Sequence, residues 1–361
     1  MRVSTILWFI SLALAPAAAG QQAERYTVAG EEIAIYNLAG SVSIEPGTGG
    51  AMVHVTRGGP AAGRLKVAQG EIDGRSTLRV IYPADRLLYR GLERGSSTQL
   101  RVRADGTFGD RGSYDSDHDH DDDERDQEGR RVRISGSGDG LEAYADLRIQ
   151  LPAGRRAAVY LAVGKLSVAN VDGRLAIDAH SAPVSATGTR GSLAIDVGSG
   201  PVTVTGARGD LSVDTGSGAV EVSRFEGTAL SVDTGSGEVT VSDAKGQEIS
   251  IDTGSGDIRL TGGSAPQVAL ETGSGGVTAD LRSDPTSLTV ETGSGDIAVT
   301  APGTLGAEVE IETSSGDIET DFQLQVTRHS RDHLVGRIGD GRGKIAIETG
   351  SGDVRLIRRA S

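Results

Sequence analysis

The feature that most constrains this chain is a unit of about nineteen residues that recurs through its C-terminal half. Aligned on a Gly-Ser-Gly turn, the copies begin at Leu193, Leu211, Leu230, Ile249, Val268, Leu288, Val309 and Ile345, at steps of 18, 19, 19, 19, 20, 21 and 36 residues. A degenerate copy begins at Leu175, with His180, Ser181 and Ala182 in place of the turn. No single copy is large enough to bury its own apolar face, so a chain built this way must stack its copies on one another.

Within the unit the residues alternate with period two, which is the periodicity of a strand. In residues 230–242, L-S-V-D-T-G-S-G-E-V-T-V-S, the side chains of Leu230, Val232 and Thr234 share one face and those of Ser231 and Asp233 the other. After the turn Val239 and Val241 point one way, with Glu238, Thr240 and Ser242 opposite. Gly235 and Gly237 break the strand where a positive φ is expected. Two strands of about five residues and two connections account for the repeat length.

A meander of hairpins and a stack of parallel coils both fit two strands per unit. Equivalent positions decide between them. Asp196, Asp214, Asp233, Asp252, Glu271, Glu291, Glu312 and Glu348 occupy one slot, followed by Val197 in the first copy and Thr in the other seven. Like-with-like registration is what stacked coils produce, and hairpins do not require it. The expected fold is therefore all-β: a parallel β-solenoid of about nineteen-residue, two-strand coils with Gly-Ser-Gly turns. The 36-residue step reads as one coil plus an elaborated one, with Phe322, Leu324 and Val326 alternating as a strand and residues 328–343 as a polar, Gly-rich excursion.

Upstream, Ile33, Ile35 and Leu38, a turn at Gly40, then Val42 and Ile44 read as a divergent first unit. Four regions result: a signal peptide at 1–20, a divergent N-terminal β region at 21–104, an acidic disordered insert at 105–140 and the regular repeats at 141–361. The signal peptide is read from Arg2, the apolar run 6–14 and the small residues 17–20. That run is shorter than the roughly twenty residues a membrane-spanning helix needs, and no later segment is apolar enough, so no transmembrane segment is expected. Export to the periplasm, the cell surface or the medium follows. The chain has no cysteine, so disulfides do not contribute, and its 36 basic against 50 acidic residues give a net charge of −14 that argues against nucleic acid as a partner.

Three strings could carry chemistry. Asp-Thr-Gly-Ser occurs at 214–217, 233–236 and 252–255, as in aspartic proteases, but three copies at coil spacing, replaced by Glu later, read as a repeat consensus rather than a catalytic pair. The eight carboxylates of the slot would repel one another, and each is expected to accept backbone N–H bonds from its own turn. A cation-bridged ladder is the alternative. In the insert, residues 115–128 (D-S-D-H-D-H-D-D-D-E-R-D-Q-E) place Asp117, Asp119, Asp121 and Glu128 at EF-hand spacing, but Asp122 stands where the loop's tight turn wants Gly. These residues, with His118 and His120, are candidates for weak divalent-cation capture in an otherwise mobile, self-repelling loop. His329 and His333 have zincin spacing without the general-base Glu, and read as a solvated loop. No catalytic residue and no further cofactor are assigned.

Three segments together carry a resemblance. Residues 35–44 read I-Y-N-L-A-G-S-V-S-I, residues 151–154 form a Leu-Pro-x-Gly turn, and residues 336–354 read G-R-I-G-D-G-R-G-K-I-A-I-E-T-G-S-G-D-V. In these the chain resembles the bacterial "putative adhesin" family of β-strand-repeat envelope proteins. The resemblance implies an exported β-solenoid whose ligand is undefined, and the leading reading is a non-enzymatic envelope or secreted module, structural or adhesive, with an unknown envelope or cell-surface ligand as partner. The competing readings are a β-helical polysaccharide lyase or hydrolase, which would want aromatic platforms for sugars that the repeats lack, and a cation-binding repeat protein.

Overall fold

The computed structural model describes residues 23–109 and 129–360, and within them every regular element is a strand apart from one 3-10 turn at Ala62–Arg64. The expected signal peptide lies outside the described residues. The repeats form two rows of strands. In the first row Asp172–Ser181, Arg190–Ser199, Arg208–Ser217, Ala229–Ser236, Glu248–Thr253, Gln267–Thr272 and Ser287–Thr292 pair in sequence, all parallel and without slippage. The second row runs from Val184–Thr187 through Val202–Thr205, Val220–Glu226, Val239–Lys245, Ile258–Gly263 and Val277–Leu281 to Ile297–Ala301, again parallel. The pairing expected of hairpins inside a unit is absent from these repeats.

Alternation explains the register. Leu230, Val232, Val239 and Val241 are at most 1% exposed, and with their counterparts they join one continuous apolar core. Slipping a strand by one residue would turn this whole set toward water. The residue after each slot carboxylate is also buried: Thr215, Thr234, Thr253, Thr272, Thr292, Thr313 and Thr349. From Thr253 onward these hydroxyls donate to the second turn glycine of the preceding layer, as in Thr272 Oγ1 to Gly256 O at 3.0 Å and Thr292 Oγ1 to Gly275 O at 2.9 Å. Thr215 and Thr234 have buried hydroxyls without such a partner.

The turn glycines meet the expectation of positive φ in some copies, as at Gly200, Gly218, Gly295 and Gly352, but not in the copy at 230–242. Neither Gly235 nor Gly237 adopts it. What they require is room: a Cβ at Gly237 would lie 2.1 Å from the carbonyl oxygen of Gly218, and one at Gly235 2.7 Å from that of Gly216. Successive turns lie so close that each backbone carbonyl fills the space a side chain would take.

The divergent N-terminal unit enters the same stack. Strand Glu32–Pro46 runs through both rows beside Arg155–Ala169, with Ile33, Ile35, Val42 and Ile44 opposite Ala157, Val159, Leu166 and Val168. Antiparallel pairs close this end, Lys66–Ile72 with Arg75–Ile81 and Glu24–Val28 with Ala51–Gly58. A separate four-stranded sheet consists of Ser97–Val102, Arg130–Ser135, Arg86–Leu88 and Leu141–Glu142. Strand Arg130–Ser135 lies inside the segment 105–140 expected to be disordered. It forms because Val132 and Ile134, both buried, alternate with arginines, a period that the surrounding charge obscures.

The C-terminal end departs from the sequence order. Strand Gly343–Thr349 pairs with Ser287–Thr292 on one side and with Ala307–Thr313 on the other, all parallel. The last repeat is thus inserted beneath the one that precedes it. Ala307–Thr313 instead takes an antiparallel neighbour, His333–Ile338, which pairs in turn with Leu324–His329. The excursion 328–343 therefore contains a strand, and a hairpin covers the row's end. The second row repeats the exchange, Val354–Arg358 lying between Ile297–Ala301 and Ile318–Thr320. Stacking contacts stay equivalent, since Thr349 Oγ1 donates to Gly295 O and Thr313 Oγ1 to Gly352 O, both at 3.0 Å.

Candidate functional site

Because the strands stack in register, one outward position becomes a column along the first row. In stacking order it holds Asp178, Asp196, Asp214, Asp233, Asp252, Glu271, Glu291, Glu348 and Glu312. Neighbouring strands lie about 4.8 Å apart, so the column repeats a carboxylate at that interval. Two residues earlier on the same face stand Ala194, Ser212, Ser231, Ser250 and Ala269, all too short to cover the carboxylates. Tyr160 and Tyr36 precede Asp178 in the column, with rings stacked at 4.3 Å and 6°. Phe108 meets Tyr36 edge-on at 5.9 Å. His333, opposite Glu312, ends the column.

The column is electrostatically frustrated. Partial burial, and next the Asp233 carboxylate, raise the pKa of Asp214 and of Asp252 above the ordinary range. Burial, then Glu291 and Asp252, raise Glu271 in the same way. At Asp214, Asp233, Asp252, Glu271 and Glu291 the expected backbone N–H bonds go elsewhere. They reach the acid just after the turn, where Asp257 Oδ1 accepts from Gly276 at 2.8 Å, Asp296 Oδ1 from Asp353 at 2.9 Å and Asp353 Oδ1 from Asp317 at 3.0 Å. That position follows the second glycine, where the next layer's N–H points at the side chain, while the column faces solvent.

The three protease-like strings place Asp214, Asp233 and Asp252 side by side on an open face. They stand at equivalent positions of successive parallel strands, all three exposed, as a repeat consensus requires. Asp117, Asp119, Asp121 and Glu128, with His118 and His120, lie outside the described residues.

Residues 115–357 match the Toastrack DUF4097 family model. The chain belongs to the Toastrack DUF4097 family. Two of the three segments that carried the resemblance, 151–154 and 336–354, fall within the Toastrack match, and 35–44 precedes it. Two crystal structures are similar to this Toastrack chain. One is described as "a putative cell adhesion protein" from Clostridium sporogenes ATCC 15579, at 8% identity over 94% of this chain and 100% of that one, with a TM-score of 0.22. The other is a "putative adhesin" from Parabacteroides distasonis ATCC 8503, at 12% identity over 94% of this chain and 96% of that one, with a TM-score of 0.35. No curated protein matches the chain. Among the described residues no helix is long and apolar enough to cross a membrane.

Three features of this Toastrack chain escaped the sequence. Asp178 belongs to the column but lacks the Gly-Ser-Gly turn by which the copies were aligned. Glu348 stands before Glu312, an order that no spacing reveals. A groove of about 760 Å³ near the N-terminal end has Arg75, Arg156 and Arg174 around a floor that includes Ala158, Ala176 and Ala194. Arg156 and Arg174 pair on consecutive strands, but Arg75 comes from a strand far upstream, so the set leaves no motif.

Proposed function

We propose that the chain is an exported, non-enzymatic binding module, a parallel β-solenoid of two-strand coils of about nineteen residues that presents its carboxylate column to a ligand of the cell envelope or a cell surface. The column carries this reading. Nine like groups at one interval give many equivalent weak contacts, and multivalency converts these into avidity. Their sign favours a partner with repeated positive charge. Carboxylate catalysis needs two groups held in different environments, and here neighbours share one. Family membership and the parallel register of both rows support the solenoid. The charged, apolar and small-residue succession over residues 2–20 supports export.

The test is binding of the intact protein to envelope fractions of the producing cell, with capture and identification of the partner. The parent is compared with a variant carrying Asp214→Asn, Asp233→Asn and Asp252→Asn. The expected result is saturable, salt-sensitive binding that weakens by more than about tenfold in the variant. Binding that survives neutralisation unchanged would remove the column from the function, and breakdown of an envelope polysaccharide by the parent would favour the enzyme reading.

A further inference from the structure

We propose that Glu310, Glu312 and His333 form a binding site for a first-row divalent metal ion of the zinc class, fastening the C-terminal hairpin to the stack. The inference stands on the geometry of this end alone, independent of what the column binds. His333 opens strand His333–Ile338 and lies directly opposite Glu312 on Ala307–Thr313, with Glu310 diagonal to it. Opposite residues of an antiparallel pair bring their Cβ atoms to about 5 Å, and diagonal ones remain within reach of long side chains. All three project outward, alternating with the buried Val309, Ile311 and Leu334.

His333 Nε2 is 3.1 Å from Glu312 Oε1 and 3.3 Å from Glu310 Oε1. One ligand atom from each of the three residues lies within 4.8 Å of the others. Metal–ligand bonds of about 2.1 Å at tetrahedral angles set neighbouring ligand atoms about 3.4 Å apart. The two nitrogen–oxygen separations already match that spacing, so only the carboxylates need close on the ion. An imidazole with two carboxylates suits zinc and its neighbours in the first row, whereas calcium and magnesium favour oxygen ligands throughout. Three protein ligands leave a position for water or for a donor from a partner.

The surroundings support the same assignment. Glu348 lies opposite Glu312 on the other side, adding a third carboxylate to the local field. The turn before His333 is fixed: Ser330 N–H donates to His333 O and Thr313 N–H to Asp332 O, both at 2.9 Å, and Ser330 Oγ donates to Asp332 Oδ1 at 2.7 Å. The His333 side chain is 17% exposed, against 54% for Glu310 and 48% for Glu312, so the imidazole is the anchored member and the carboxylates can adjust. Arg328 lies beside the ring, its Nη1 3.5 Å from Nδ1, at the outer limit of a hydrogen bond. Metal at Nε2 leaves the proton on Nδ1, and the exposed Arg328 then turns to solvent. The zincin-like spacing of His329 and His333 plays no part, since the carboxylates come from a strand some twenty residues upstream.

The test is titration of the metal-free, full-length protein with ZnCl2 by calorimetry, and with CoCl2 by its visible absorption, alongside thermal melts. The variants are His333→Ala, Glu310→Gln and, as an outward control on the same strand, Glu308→Gln. The parent and Glu308→Gln are expected to bind one Zn²⁺ equivalent that raises the melting temperature and to give a Co²⁺ absorption band. His333→Ala and Glu310→Gln are expected to weaken that equivalent by more than about tenfold and to lose the shift. Zinc taken up by the histidines and carboxylates of residues 115–128 would persist in all four proteins and is thereby separated. If His333→Ala does not fold, Glu310→Gln decides. A parent that binds no such equivalent, or a Glu310→Gln protein that keeps it with the parent's affinity and melting shift, overturns the assignment.

Discussion

Replacing Gly237 with Ala isolates the contact that holds the turns together. Gly237 does not adopt a positive φ, so its backbone permits an L side chain. At an unconstrained strand position the exchange would gain about 0.5–1 kcal/mol, through the entropy that glycine loses on folding. Here the added methyl would sit 2.1 Å from Gly218 O. A carbon–oxygen contact needs more than 3 Å, so the two layers must part by about 1 Å out of a spacing of about 4.8 Å. Two backbone bonds between these layers stretch, Gly218 N–H to Ser236 O at 3.1 Å and Val220 N–H to Glu238 O at 3.0 Å. Strain from overpacking is about 1–3 kcal/mol, and a buried backbone group left unpaired costs about as much again. Gly237→Ala should therefore destabilise by roughly 2–5 kcal/mol, Gly235→Ala by less because its clash is at 2.7 Å, and Ser236→Ala by within about 0.5 kcal/mol. Urea unfolding followed by far-ultraviolet circular dichroism reads the midpoint and the slope. Since each layer touches only its neighbours, a weakened interface also uncouples the two halves and lowers the slope. A Gly237→Ala protein as stable as the parent, or more so, would refute the close-approach argument.

Other expectations follow from the same packing. Val232→Asp buries an unpaired carboxylate in the core and should lower stability by more than about 3 kcal/mol, with neighbouring repeats losing amide-exchange protection together. Thr272→Val removes a bond to Gly256 O and should cost about 1 kcal/mol, whereas Thr234→Val replaces a buried, partnerless hydroxyl and should be neutral or stabilising in the same denaturation series. Asp214 and Asp252 bind protons more tightly folded than unfolded, so their charge opposes folding at neutral pH and this opposition fades as pH falls through the raised values. Asp214→Asn with Asp252→Asn should accordingly be more stable than the parent at pH 7, and that advantage should shrink in acid and at high salt when melts are compared.

The fold was legible where one local rule repeats. The alternation in L-S-V-D-T fixes which side chains enter the core, and the shared slot of Asp214, Asp233 and Asp252 by itself implies parallel register. Order within the stack was not legible, because identical units make interchangeable neighbours. Ser287–Thr292 accepts Gly343–Thr349 as readily as Ala307–Thr313, and the hairpin covering the latter's outer edge settles the choice. Gly235 and Gly237 were recognised but explained by the wrong cause, since a clash with the adjacent layer is a property of the stack and not of the local chain. His333 was assigned to a loop for a related reason. Its partners Glu310 and Glu312 reach it through an antiparallel pairing that the parallel repeats around it gave no cause to expect.

The most direct test of the stacked-coil account is disulfide mapping, for which the absence of cysteine from the natural chain gives a clean background. A disulfide needs Cα atoms about 4.4–6.8 Å apart, which adjacent strands satisfy and strands two layers apart do not. Ser231 lies opposite Ser250, and Lys344 lies between Ser287 and Glu308, all on the outer face. The account predicts ready oxidation of the Ser231→Cys/Ser250→Cys and Ser287→Cys/Lys344→Cys pairs, with Ser287→Cys/Glu308→Cys remaining reduced. Failure of the first pair would contradict the parallel stack, and ready closure of the third would contradict the insertion of the last repeat beneath the one before it.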